Sequence, residues 1–219
     1  MSTTDVLAEL ESMRDERVLA VNRRHGDEHA VNLTALRGVA KRLGKDAELA
    51  EELWASGSPD ARLLALLMVR PSAFTPDRLD AMLREASLPK VQDWFVNYIV
   101  KKSKHSPALR ELWLADADPV VESAGWALVS ETIAKGKEAL DHDALLATIE
   151  ARMKEAPERL QWAMNQALAT IGIEDEARRA RASEIGERLE VLKDYPVAPG
   201  CISPFAPIWI AEMSARKGA

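Results

Sequence analysis

"SPDARLLALLMV", Ser58–Val69, starts on a proline and then runs apolar for about three turns. Proline suits the first helical position, because the N–H it lacks has no intrahelical partner there. Three later stretches begin the same way: "LPKVQDWFVNYIV" (Leu88–Val100), "DPVVESAGWALV" (Asp118–Val129) and "APERLQWAMNQALATIG" (Ala156–Gly172). Their prolines, Pro59, Pro89, Pro119 and Pro157, are spaced by 30, 30 and 38 residues. Amphipathic stretches such as Asp77–Ala86 and Ala108–Leu114 lie ahead of them, separated by short turns. Helix, turn and proline-started helix, repeated at this interval, predict stacked helical pairs.

The expected fold is therefore all-α, a right-handed array of HEAT-like repeats (an α-solenoid) with a concave groove. We expect a single domain over residues 1–219. An N-terminal cap at about 1–32 holds a helix from Asp5 to Arg23 capped by Thr4. The repeats occupy 33–172, and Leu33–Leu53 supplies the earliest of their helices. The last part, 173–219, begins with a helix over Glu174–Leu189. It continues as "VLKDYPVAPGCISPFAP", which carries four of the eleven prolines and must be extended, and ends in a short helix at Ile208–Arg216. This tail is expected to cover the open apolar end of the final repeat.

Composition narrows the function classes. Hydrophobic residues make up 47% of the 219 and charged residues 29%, as in an ordinary folded protein. No apolar run approaches the roughly 20 residues needed to cross a bilayer, and the acidic start is unlike a signal sequence. The lone Cys201 cannot form an internal disulfide, which points to a reducing cytoplasm. His25, His29, His105 and His142 show no metal-ligand spacing, and neither a glycine-rich phosphate loop nor a nucleophile motif occurs. No metal and no cofactor are expected. The net charge of −6 argues against indiscriminate nucleic-acid binding, but its distribution is uneven. Residues 61–110 hold nine Lys/Arg against four Asp/Glu, whereas 111–150 hold two against nine. A basic segment in an acidic protein can steer a polyanion to one surface; a pair of solvated helix faces is the alternative.

Aligning the repeats on their prolines places Asp93, Ser123 and Gln161 at one equivalent position, with Asn97 and Asn165 one turn later. That polar stripe is expected to line one groove, continued by Lys101 and Lys104. Trp94, Trp126 and Trp162 occupy places where large core side chains belong. "KKSKH", Lys101–His105, ends a helix, where cations suit the macrodipole as well as they would suit a phosphate.

The residues also carry a family resemblance. "LTALRGVAK" at Leu33–Lys41, "LWASGSPDARLLA" at Leu53–Ala65 and the order of the repeats resemble the bacterial DNA alkylation repair (AlkD-like) family over Leu33–Gly172. The resemblance implies an array of HEAT-like repeats holding duplex DNA in a concave basic groove. It also implies, for active members, release of cationic alkylpurines such as 7-methylguanine. A base that already carries positive charge leaves readily, so the protein needs mainly a carboxylate near the developing sugar cation and groups that hold the DNA.

Where the family places its catalytic aspartate, this chain has Asn97. The groove arginine corresponds to Ser123, one groove tryptophan to Gln166, and the other to Asp93, beside Trp94. An amide cannot supply the missing negative charge. Asp93 is the one candidate catalytic residue, although a helical turn of about 5.4 Å is a large displacement for catalysis. Arg62, Lys90, Trp94, Asn97, Lys101, Lys102, Lys104, Ser123, Gln161, Asn165 and Gln166 are the candidate DNA-binding residues. The expected function is binding of duplex or damaged DNA by a monomer, with N-glycosylase activity weak, altered or absent. A HEAT-like scaffold that binds a protein instead is the alternative. The two are distinguished by whether the basic residues converge near Asn97.

Overall fold

Helix starts in this chain are written as short polar side chains that accept from otherwise unpaired backbone N–H groups. The computed structural model describes residues 1–136 and 138–218. Two compact units result, Met1–Ser106 and Pro107–Ala219. Among the described residues there is no strand, and no helix is long and apolar enough to cross a membrane.

The first unit contains α1 (Thr3–Ser12), α2 (Glu16–Arg23), α3 (Leu33–Leu43), α4 (Ala47–Ala55), α5 (Pro59–Met68), α6 (Pro76–Glu85) and α7 (Pro89–Trp94). Ser2, Asp15, Asn32, Asp46, Ser58 and Thr75 cap the first six by side-chain acceptance of a backbone N–H. Pro59, Pro76 and Pro89 each stand at a first helical position, as the proline pattern predicts. The helix expected over Asp5–Arg23 is two helices. Asp15 accepts from Arg17 N–H to begin the second, and its own N–H donates to the Ala30 carbonyl at 3.0 Å, which breaks the run.

Helix α5 is the centre of this unit and packs against α3, α4 and α7. Leu36, Leu53, Trp54, Leu63, Leu64, Met68, Leu79, Leu83, Phe95 and Ile99 form the core, all essentially without exposure. Asp60, on the first turn of α5, is buried. Its carboxylate accepts the N–H groups of Ala30 and Val31 at 2.9–3.1 Å, with Arg14 3.8 Å away. The segment entering α3 is thus tied to the start of α5. After Trp94 the helix widens into a π-helical turn over Phe95–Ile99 and then tightens to a 3₁₀ turn at Val100–Lys102. The apolar periodicity of the segment does not announce this change. Single π-turns inside helices are often found at functional sites.

The second unit holds most of α8 (Ser106–Leu114), then α9 (Pro119–Lys135), α10 (His142–Arg152), α11 (Glu158–Glu174), α12 (Arg179–Leu189) and α13 (Ala206–Gly218). Pro119 again opens its helix, whereas Pro157 sits one place earlier, at the cap. The helix expected at Glu174 starts at Arg179. Asp175 ends α11 and accepts from Ala177 N–H, so a 3₁₀ turn over Glu176–Arg178 intervenes. The core runs through Trp126, Val129, Leu146, Ile149, Met164, Leu168, Ile171, Ala182, Ile185 and Ile210. Two glycines let α13 lie close. A Cβ on Gly172 of α11 would come within 2.5 Å of Ile210 Cδ1, and one on Gly186 of α12 within 2.7 Å of Pro207 Cδ. The last helix therefore covers α11 and α12, and it is longer than the expected Ile208–Arg216.

Candidate nucleic-acid interface

In the first unit, the widened end of α7 faces α3. Trp94 is 7% exposed because the Arg37 guanidinium lies over its ring, 5.0 Å from the centroid. Tyr98 packs beside Trp94, with ring centroids 5.1 Å apart, and Arg37 Nη2 reaches the Tyr98 hydroxyl at 3.4 Å. Lys102 Nζ stands 5.6 Å from the Tyr98 ring. Cation, indole, phenol and cation thus alternate across one face. The i, i+4 steps from Trp94 to Tyr98 to Lys102 stack them, and each cation gains attraction to a ring face. Asp93, Asn97, Lys102 and Lys104 are exposed on the same segment, and Lys101 is half-buried. Asp93 and Lys101 are each engaged with another group. Among the described residues, no carboxylate pairs with Arg37, Lys41, Lys45, Lys102 or Lys104. The proline alignment points to neither Arg37 nor Tyr98, because it compares only polar positions of the second helix in each pair.

Another expected residue of this unit serves the fold. Arg62 donates from Nε to the Trp54 carbonyl at 3.2 Å and from Nη1 to the Glu85 carbonyl at 2.6 Å, and it covers the Trp54 ring. It satisfies the carbonyl ends of α4 and α6, which a cation near a helix C-terminus does well. Glu85 bonds the Trp54 indole N–H and Arg78, and burial notwithstanding, those partners hold its carboxyl below the usual range. Lys90 is half-buried, and its backbone N–H donates to Asp27 Oδ1 at 2.7 Å.

In the second unit, the predicted stripe does not reach the surface as one row. Ser123 is buried, and its hydroxyl donates to the Val120 carbonyl at 2.6 Å. Asn165 is 1% exposed, and its Nδ2 donates to the Pro204 carbonyl at 2.8 Å, tying the extended tail to α11. Both expectations of ligand contact are corrected: small polar side chains on a buried helix face found protein partners. Gln161 is half-buried and donates to the Met153 and Lys154 carbonyls at the end of α10. Gln166 is exposed. Trp126 is in the core, while Trp162 is partly exposed with Tyr195 set edge-on at 4.9 Å.

The cations of this second unit are largely consumed internally. Buried Arg110 bonds Glu138 through both terminal nitrogens at 2.9 Å, and Glu111 as well, which raises its affinity for the proton. Arg152 pairs bidentately with buried Glu122 at 2.8 Å, and Arg178 and Arg181 share Asp143. A hollow of about 660 Å³ beside Leu140 and His142 is bordered by the same network. There, His142 Nδ1 lies 2.7 Å from Asp175 Oδ2; this bond, reinforced by Arg178, holds the Asp175 carboxyl below the usual range.

Comparison with known proteins identifies the fold and the family. A solved structure described as a new family of proteins related to the HEAT-like repeat DNA glycosylases, with affinity for branched DNA structures, shares the fold. Its TM-score is 0.78 at 24% identity, covering 99% of this chain and 95% of that one. An uncharacterised protein of Listeria innocua is 27% identical over 193 residues, covering 84% of this chain and 85% of its own length. An uncharacterised protein of Listeria monocytogenes is 24% identical over 197 residues, with 84% and 85% covered. The fold is that of the HEAT-like repeat proteins, and a family model described as DNA alkylation repair enzyme matches residues 6–187. The chain belongs to the DNA alkylation repair enzyme family.

Proposed function

We propose that this is a DNA-binding HEAT-like repeat protein whose base-excision chemistry is absent or much weakened. The observation that carries the reading is the face of the first unit where Arg37, Trp94, Tyr98 and Lys102 alternate, with no carboxylate among the described residues neutralising its cations. Cations supply the phosphate attraction that dominates DNA affinity, and the aromatic rings offer surface to sugars or exposed bases. Asn97 and Lys104 extend this face, and Asp93 and Lys101, each engaged with another group, border it. The fold neighbour's affinity for branched DNA supports junctions as substrates alongside plain or damaged duplex.

The chemistry argues against efficient excision. Asn97 stands where the resemblance calls for a carboxylate, and an amide stabilises an oxocarbenium-like centre poorly. Asp93 carries the required charge but sits on the preceding turn, beyond the displacement that catalysis tolerates. Anisotropy titrations with duplex, alkylated duplex and four-way junction, together with release of 7-methylguanine, test the proposal. Salt-sensitive binding without base release above the spontaneous rate is expected. Asn97→Asp should restore at most weak release, since the arginine and tryptophan positions remain Ser123 and Gln166. Robust release by the wild type that Asp93→Asn abolishes would overturn the reading and make Asp93 the catalytic acid.

A further inference from the structure

Beyond Arg37, the cationic surface continues along α3. Arg37, Lys41 and Lys45 follow one another at four-residue steps, and together with Ala40, Gly44 and Leu67 they line a hollow of about 300 Å³. Among the described residues, no acidic side chain lines it. We propose that this hollow is a phosphate-binding subsite. It rests on the DNA-binding reading to the extent that a DNA phosphodiester is its expected source, a free phosphate ester being the other.

The contrast with Arg42 on the same helix is instructive. Arg42 Nη2 meets both oxygens of Glu9 at 2.6 Å, so that face of α3 is neutralised. The face carrying Arg37 and Lys41, with Lys45 just past the helix end, is not. Arg37 and Lys41, at i and i+4 on α3, repel, and an idle solvated face gains nothing from the pair beyond a partial offset by the helix C-terminus. Two of the three are also held in place. Lys45 Nζ donates to the Leu67 and Val69 carbonyls, each at 2.9 Å, which occupies two of its three protons and leaves one. Arg37 is set by Trp94 and Tyr98 and keeps most of its five donors. Gly44, at φ +76°, ends α3 in a left-handed region that lets the chain turn so that Lys45 reaches back over the hollow. Two fixed donors and one adaptable one, Lys41, around a small acid-free hollow suit a tetrahedral oxyanion.

The test uses the full chain. Binding of duplex and four-way junction is measured across a salt series for wild type, Lys41→Ala, Lys41→Ala/Lys45→Gln and, as a control outside the site, Arg181→Gln. Melting curves identify any loss of fold, and Lys41→Ala alone keeps the test valid should Lys45→Gln loosen α5. In parallel, amide NMR follows Gly44 and Lys45 during titration with inorganic phosphate against chloride at matched ionic strength. Removing one cation from a phosphate should lower the log–log salt slope by about 0.9, so the slope falls by about 1.8 in the double variant and stays unchanged in Arg181→Gln. Phosphate-specific shifts at Gly44 and Lys45 are expected. Wild type that binds DNA, with unchanged slopes in both variants, overturns the subsite and leaves the DNA reading standing. Wild type that binds no DNA sinks that reading instead. In that case the NMR titration decides: specific shifts assign the hollow to a free phosphate ester, and their absence overturns it.

Discussion

The two units spend their charges differently. Met1–Ser106 carries sixteen Lys/Arg and sixteen Asp/Glu, yet several of its carboxylates are taken up by the fold. Asp15 and Asp46 cap helices, Asp60 binds backbone amides, and Glu9 and Glu51 pair with arginines away from the Trp94 face. A neutral unit can therefore present one positive face. Pro107–Ala219 carries thirteen against nineteen, and most of its arginines are bound to its own acids. Net charge thus misleads in both directions. What decides the field at a surface is which charges the fold has already neutralised.

The largest effect should come from removing an acid that the fold uses. Asp60→Ala strands two buried N–H groups and should cost about 3 kcal/mol or more, read by denaturant unfolding. If the cost is under about 1 kcal/mol, Asp60 does not organise the first unit as its hydrogen bonds indicate. The counterpart in the second unit is steric. A Cβ on Gly125 would lie 2.8 Å from the Leu114 backbone nitrogen, so Gly125→Ala should cost about 2 kcal/mol, because backbone cannot yield as a side-chain end can.

Smaller effects bear on the charge contrast itself. Arg37→Gln should weaken DNA binding and lower its salt slope by about 0.9, while Arg181→Gln, already paired with Asp143, should change neither. Equal losses from both variants would dissolve the distinction between the units. Acidification should separate them by pH. Burial pushes His29 below its ordinary value, so the fold holds it neutral. That contribution is complete above about pH 6.5 and is lost as pH falls toward the folded value, as the unfolded chain takes up the proton first. Asp175, depressed by its bond to His142, contributes above about pH 3.8 and loses it only below. His29→Gln should therefore flatten the stability profile just below neutrality, and Asp175→Asn only in strong acid.

Much of the fold was legible because local physics sets it. Proline at a first helical position needs no partner from elsewhere, and Pro59, Pro89 and Pro119 fulfil the pattern. The candidate site was legible in part. Trp94, Asn97 and Lys102 lie on the segment that the basic stretch and the resemblance single out. Ser123 and Asn165 misled, since a polar side chain at a repeated position looks the same whether it faces a ligand or a carbonyl. Asn165 finds its acceptor at Pro204, and no periodicity encodes that pairing.

The sequence by itself determined the all-α character, the helix starts at Pro59, Pro89 and Pro119, and the family, because each depends on residue type at a local spacing. Only the tertiary structure decided which charges survive at the surface. It paired Arg42 with Glu9 while leaving the Arg37, Lys41 and Lys45 face without an acid among the described residues, and it laid Arg37 over Trp94 from a distant helix. An ion pair or a ring contact forms where two groups come within a few ångströms. Distance in space, which the packing of α3, α5 and α7 sets, is not contained in distance along the chain.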